Sequence, residues 1–178
     1  MIICVAGLPG SGKSEASKAF AARGYKPYEL GSIVWELMRK ARVERNSDNT
    51  KRFITTLREK YGREVMARFL LKKIRLTSDS KIAIIGVRSM AELNYIRKRS
   101  KTVTIAIVAP PRLRFTRISR RMRPDDPKSL AQFIRNRDRK EIAFGANDVI
   151  AHADYIIANT GSKADLERNV EHVLSLIR

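Results

Sequence analysis

Gly7-Leu8-Pro9-Gly10-Ser11-Gly12-Lys13-Ser14 stands directly after the apolar run Met1-Ile2-Ile3-Cys4-Val5-Ala6, which reads as a buried strand. With a helix expected from Glu15 to Arg23, the octet reads as a phosphate-binding loop in its proper setting, strand before and helix after. The glycines let the backbone bend tightly and turn successive N–H groups inward around phosphate oxygens, and the helix that follows adds the positive end of its dipole. Lys13 is expected on the terminal phosphates of a nucleoside triphosphate, and the Ser14 hydroxyl on Mg²⁺. A glycine-rich turn arising by chance would not bring glycine, lysine and hydroxyl together at this spacing between two regular elements.

Lysine and arginine total 37 against 18 acidic residues, a formal net charge of +19 in 178 residues. Such an excess suits a solvated surface, a funnel for polyphosphate ligands or a footprint for nucleic acid. Clustering favours a site: Arg112, Arg114, Arg117, Arg120, Arg121 and Arg123 crowd together, and Arg135, Arg137, Arg139 and Lys140 follow. Aromatic residues are only 7% and are not interleaved with these arginines, so base stacking on that surface has little support and nucleic acid is not the favoured partner. No apolar run approaches the roughly 20 residues that cross a bilayer, and a cytoplasmic protein with no membrane partner is expected. The single cysteine, Cys4, reads as a small buried hydrophobe, and one cysteine with two separated histidines, His152 and His172, does not suggest a metal cluster.

One domain over 1–178 is expected, since no repeat, low-complexity segment or linker divides the chain. Tyr25 to Leu30 reads as a polar, partly aromatic connector. Apolar positions from Ile33 to Leu70 recur at helical spacing, broken at Asn46-Ser47-Asp48-Asn49 and at Tyr61-Gly62, which predicts three helices, with Trp35 packing among them. Strands are predicted over 82–87, 103–108 and 155–158. Ser89 with Glu92, Ser129 with Gln132 and Ser162 with Asp165 read as helix caps. Apolar strands alternating with helices predict an α/β architecture of three layers, a parallel sheet between helices, with ligands beyond the carboxyl ends of the strands.

Arg123-Pro124-Asp125-Asp126 and Arg135-Asn136-Arg137-Asp138 resemble the mobile lid of nucleoside monophosphate kinases, in which an Arg-x-Asp-Asp turn and a downstream arginine close over the triphosphate. Planar, permanently charged guanidinium suits that task. Taken alone, the same residues also suit a charged helix with pairs such as Arg137 and Glu141. Ala153-Asp154-Tyr155-Ile156-Ile157-Ala158-Asn159-Thr160-Gly161-Ser162 resembles the last strand and base-contacting loop of dephospho-coenzyme A kinases, which implies that Asn159 to Ser162, Gly161 among them, lie against adenine. The same residues equally form a turn with a helix cap. With Gly86-Val87-Arg88-Ser89, these stretches make nearly the whole chain similar to an uncharacterised family of archaeal P-loop proteins related to adenylate and dephospho-coenzyme A kinases. That resemblance implies a nucleotide-kinase-like P-loop nucleoside triphosphate hydrolase fold, a helical acceptor-binding insertion at about 31–76 and an arginine-rich lid at about 120–140.

The resemblance also exposes two departures. Adenylate-kinase-like proteins usually carry an Asp before the glycine that ends the third strand, where it helps hold Mg²⁺ through water; here the position is Ile85. Where dephospho-coenzyme A kinases place an aspartate to take the acceptor's proton, this chain has Leu30-Gly31-Ser32, with Glu29 or Glu36 as nearby substitutes. A phosphate acceptor tolerates that loss better than an alcohol, because it needs no strong base. The expected activity is an ATP-dependent phosphotransferase acting on a nucleotide or other small phosphorylated metabolite. Lys13 and Ser14 serve ATP and Mg²⁺, Arg88 the acceptor phosphate, and Arg123 with Arg135 or Arg137 the lid; Arg39, Arg42 and Arg52 are open candidates for a second acceptor contact. The alternatives are a nucleotide-dependent switch without turnover, on the strength of Ile85 and Ser32, and an RNA-associated ATPase.

Overall fold

The alternation of apolar residues in the first strand explains how both sides of the sheet are covered. A computed structural model describes residues 1–77, 79–121 and 126–177. β1, Ile2–Ala6, is buried along its whole length. Its even positions Ile2, Cys4 and Ala6 face one apolar cluster, and Ile3 and Val5 face another. That arrangement requires helices on both faces.

β2 (Lys26–Glu29), β3 (Ile82–Ile85), β4 (Thr102–Val108) and β5 (Tyr155–Ala158) complete a five-stranded sheet in the order β2-β3-β1-β4-β5. Every neighbouring pair is parallel, with Ile2 opposite both Ile82 and Thr102. One face is covered by α1 (Lys13–Ala22) and α10 (Lys163–Leu176), through Ala16, Phe20, Leu166 and Val170. The other carries α2 (Leu30–Lys40), α3 (Ser47–Tyr61), α4 (Val65–Lys73), α5 (Met90–Arg97) and α9 (Ala146–Ala151). α6 (Pro111–Ser119) follows β4, and a segment made of α7 (Leu130–Phe133), a π-helical stretch (Ile134–Asp138) and α8 (Arg139–Ala143) leads into α9. The three-layer α/β fold with a parallel sheet is therefore the one read from the sequence. Among the described residues no helix is long and apolar enough to cross a membrane.

Several boundaries differ for physical reasons. Lys26–Glu29, read as a connector, is an edge strand, and Pro27 is tolerated there because an edge can spare an N–H. Its pairing with β3 supplies what its polar composition does not. β3 ends at Ile85 rather than at 87, because Gly86 turns the chain with φ 85°. The predicted break at 46–49 lies earlier, over 41–46: Asn46 caps α3, its Oδ1 accepting from Asn49 N–H at 2.8 Å. Ser89 caps α5, but the Glu92 carboxylate returns to the Arg88 N–H at 2.9 Å instead of closing a box on Ser89. Ser162 and Asp165 do form the reciprocal box. Trp35 packs on the helical side as expected, with the Arg45 guanidinium 4.0 Å above its ring. Cys4 is fully buried, and burial raises its thiol pKa well beyond the reactive range.

Candidate nucleotide-binding site

The loop from Gly7 to Gly12 lies beyond the carboxyl end of β1 and delivers Lys13 and Ser14 as the first two residues of α1. Its shape depends on missing side chains. A Cβ on Gly10, where φ is 78°, would stand 2.5 Å from the Arg114 carbonyl oxygen, and one on Gly12, where φ is 107°, 2.1 Å from Asn159 Nδ2. Leu8 O accepts from Ser11 N–H at 3.1 Å, which tightens the bend.

Two arginines and an asparagine hold this loop from below. Arg114 is buried and donates to both oxygens of Asp138 at 2.7 Å, to Ala109 O at 2.9 Å and to Pro9 O at 3.2 Å. Asn159 Nδ2 donates to Ser11 O at 2.8 Å, while Arg117 Nη2 donates to the Asn159 backbone and side-chain oxygens at 3.1 and 3.3 Å. Asn159 thus lies under the loop, with its side chain occupied in supporting it. Gly161, two residues on, sits in the exposed turn that Asp165 closes.

Lys13 Nζ donates to Gly7 O at 2.7 Å and Leu8 O at 3.1 Å. Burial lowers its pKa to about 8, with Glu141 and Glu29 pulling it back up and Arg88 and Arg114 pushing it further down. Ser14 is exposed at the start of α1. The Ser11 hydroxyl, by contrast, is buried without a hydrogen-bond partner.

Arg88 lies beyond β3. Its Nε is 3.1 Å from Glu141 on α8, so Glu141 pairs with Arg88, whereas the sequence suggested Arg137. Glu92, which is buried, accepts from Arg58 Nη2 at 3.4 Å, and its desolvation raises its pKa. Of the two substitute acids, Glu36 is taken up by Lys73 and Lys40, which hold its carboxyl below the usual range, whereas Glu29 ends β2 opposite Ile85 and acts on Lys13. Arg39, Arg42 and Arg52 are exposed. Arg58, which sequence reasoning passed over, lines the cleft beside Arg88. Arg135 is exposed, Arg137 stands 3.7 Å from Asp126, and Arg123 lies outside the described residues.

Across residues 3–143 the chain matches the family model described as an AAA domain. A UPF0200 protein of Hyperthermus butylicus is 41% identical over 98% of this chain and 94% of its own length. The UPF0200 protein of Pyrococcus horikoshii is 37% identical over 99% of this chain and 97% of its own. The chain belongs to the UPF0200 family.

Solved structures agree on the architecture. A shikimate kinase from Bacteroides thetaiotaomicron superposes with a TM-score of 0.63 at 15% identity, covering 99% of this chain and 98% of its own. A gluconokinase from Sinorhizobium meliloti does so with a TM-score of 0.56 at 14% identity, covering 99% and 97%. At these identities the likeness establishes the P-loop kinase-like fold and nothing finer.

The residues of this UPF0200 member fit a magnesium–nucleotide group in an asymmetric way. The polyphosphate side is well provided: a glycine bend whose missing side chains let the backbone close in, an unsatisfied buried hydroxyl at Ser11 and an ammonium at Lys13. The metal side is sparse. Ile85 is buried in the apolar cluster with Ala16 and Ala19 of α1, and among the described residues no three acidic, histidine or cysteine side chains gather into a metal site. Mg²⁺ would depend on Ser14 and on phosphate oxygens, as suits an ion that arrives with its nucleotide.

Proposed function

We propose that this protein transfers the terminal phosphoryl group of ATP to a small phosphorylated acceptor, with the residues from Gly7 to Ser14 holding MgATP and Arg88 receiving the acceptor's anion. The observation that supports this most is the placing of Lys13, Arg88 and Glu141 at one end of the sheet, with a cleft beside them. Phosphoryl transfer requires chiefly positioning and charge neutralisation, and this end of the sheet supplies cations on both sides of where the transferring group would pass. Bound Mg²⁺ would offset charge on the β and γ phosphates. Lys13 would move from Gly7 O and Leu8 O to phosphate oxygens, and Arg88 would exchange Glu141 for the acceptor. The helices over about 31–76 form the acceptor side in this reading. The segment over about 120–140, with Arg123 and Arg135 or Arg137, forms the lid, and Asn159 to Gly161 border the adenine.

Calorimetry with MgATP, followed by a screen of nucleoside monophosphates and phosphorylated metabolites for acceptor-dependent ADP release with and without EDTA, tests the proposal. Heat on binding, one productive acceptor and loss of turnover on chelation are expected; no heat from folded protein would sink it. The apolar burial of Ile85 favours a second reading, a nucleotide-dependent switch that binds MgATP without turning it over. ATP binding with no ADP release for any acceptor would select it.

A further inference from the structure

Arg58, on α3, and Arg88, beyond β3, line one narrow cleft whose other side chains are Glu92 and the apolar Leu30, Val34, Ile54, Met66 and Phe144. The Arg58 guanidinium lies 4.6 Å over the Phe144 ring and reaches Glu92 only through one long contact of 3.4 Å. Its Nε is buried without a hydrogen-bond partner. A guanidinium serving only to tie α3 to α5 would be expected to spend its donors on that tie, since a buried donor left unmet is costly. Phe144 instead stacks on the group, whose Nε stays unmet, and the same side chain lines the cleft.

We infer that Arg58 is a second anion-binding residue of this cleft, acting with Arg88, and that the acceptor is a phosphomonoester carried on an apolar or aromatic body. A polyol acid is disfavoured because most of its hydroxyls would face Val34, Ile54, Met66 and Phe144, which offer no side-chain hydrogen bonds, while the Glu92 carboxylate in the same lining is already engaged by Arg58 and the Arg88 N–H. A fork-shaped cation lining a mostly apolar slot meets the needs of a phosphate joined to a less polar body. This inference rests on the phosphotransferase reading for the role of the ligand as acceptor, but binding alone can test it.

Wild type, Arg58→Met and Arg58→Lys are first titrated with a non-hydrolysable ATP analogue and Mg²⁺. Each saturated complex is then titrated with AMP and CMP as phosphomonoester probes and with shikimate and gluconate as polyol acids. Wild type is expected to bind at least one monophosphate in preference to both acids. Arg58→Met should weaken that binding by about tenfold or more, as expected for loss of a charged hydrogen bond, with analogue affinity unchanged. Arg58→Lys, which keeps the charge and loses the fork, should fall between. Because Arg58→Met strands the buried Glu92, the Arg58→Met/Glu92→Gln double variant repeats the measurement without an orphan carboxylate. Equal monophosphate affinity in wild type and the double variant, preference for a polyol acid, or binding of neither class overturns the inference. Failure of the analogue to bind overturns the phosphotransferase reading instead, so the two failures are distinguishable.

Discussion

Asp138 clasps Arg114 with both carboxylate oxygens, each 2.7 Å from a guanidinium nitrogen, and the same guanidinium reaches up to the Pro9 carbonyl of the phosphate-loop sequence. The pair joins the start of α6 to the π-helical stretch before α8, and both groups are buried. The wide turn of that stretch carries Asp138 inward to meet the guanidinium.

Breaking this clasp from one side leaves a buried charge unmatched. Asp138→Asn is expected to lower unfolding free energy by about 3–5 kcal/mol, measured by denaturant titration. Replacing both partners, Arg114→Met with Asp138→Leu, should recover much of the stability while ATP affinity stays reduced, because Pro9 O loses its donor. Full recovery of ATP affinity in the double variant would refute the supporting role.

The Asn159 side chain fills the space that Gly12 leaves and donates to Ser11 O. Asn159→Ala should cost about 1–3 kcal/mol by leaving a buried carbonyl and part of Arg117 unmet. Gly12→Ala should be worse, since it adds strain at a positive φ to a collision with Asn159. Thermal melts and ATP titrations on both variants check the order of the effects.

Lys13 is held near pKa 8 by burial, against an ordinary value of 10.5. Between those values the unfolded chain binds more protons than the folded one, so this group makes the protein more stable as pH rises from about 8 to 10.5. Phosphate binding runs the other way, since only the ammonium attracts it. At pH 9, ATP binding should therefore take up protons, seen as a binding heat that varies with the buffer's ionisation enthalpy. Lys13→Ala should remove that dependence and abolish turnover while the fold survives.

Glu141 raises the Lys13 pKa and occupies Arg88. Glu141→Gln should move the pH midpoint for loss of ATP affinity below that of wild type. An unchanged midpoint would show that Glu141 does not act on Lys13.

Much of the fold was legible because its signals are local and periodic: apolar runs for β1, β3, β4 and β5, helical spacing for α2 to α4, and the serines at 89, 129 and 162. β2 was missed because Lys26–Glu29 is strand only by virtue of Ile82–Ile85 beside it. In the site, the phosphate loop was plain from residue types at fixed spacing. Arg58 was passed over because the groups that mark it, Glu92 and Phe144, are remote in sequence, and Arg114 read as one member of an arginine cluster.

By itself the sequence determined the layered α/β plan and the octet that bends at Gly7, Gly10 and Gly12, since both follow from short-range sterics and from alternation along a strand. Tertiary structure decided which charges meet: Arg114 with Asp138 and Arg58 with Glu92 away from water, and Arg88 with Glu141 where both are partly exposed. Those partners lie 24, 34 and 53 positions apart, beyond the reach of any periodic pattern, and only the packing of helices against the sheet removes the water that would otherwise screen the first two pairs.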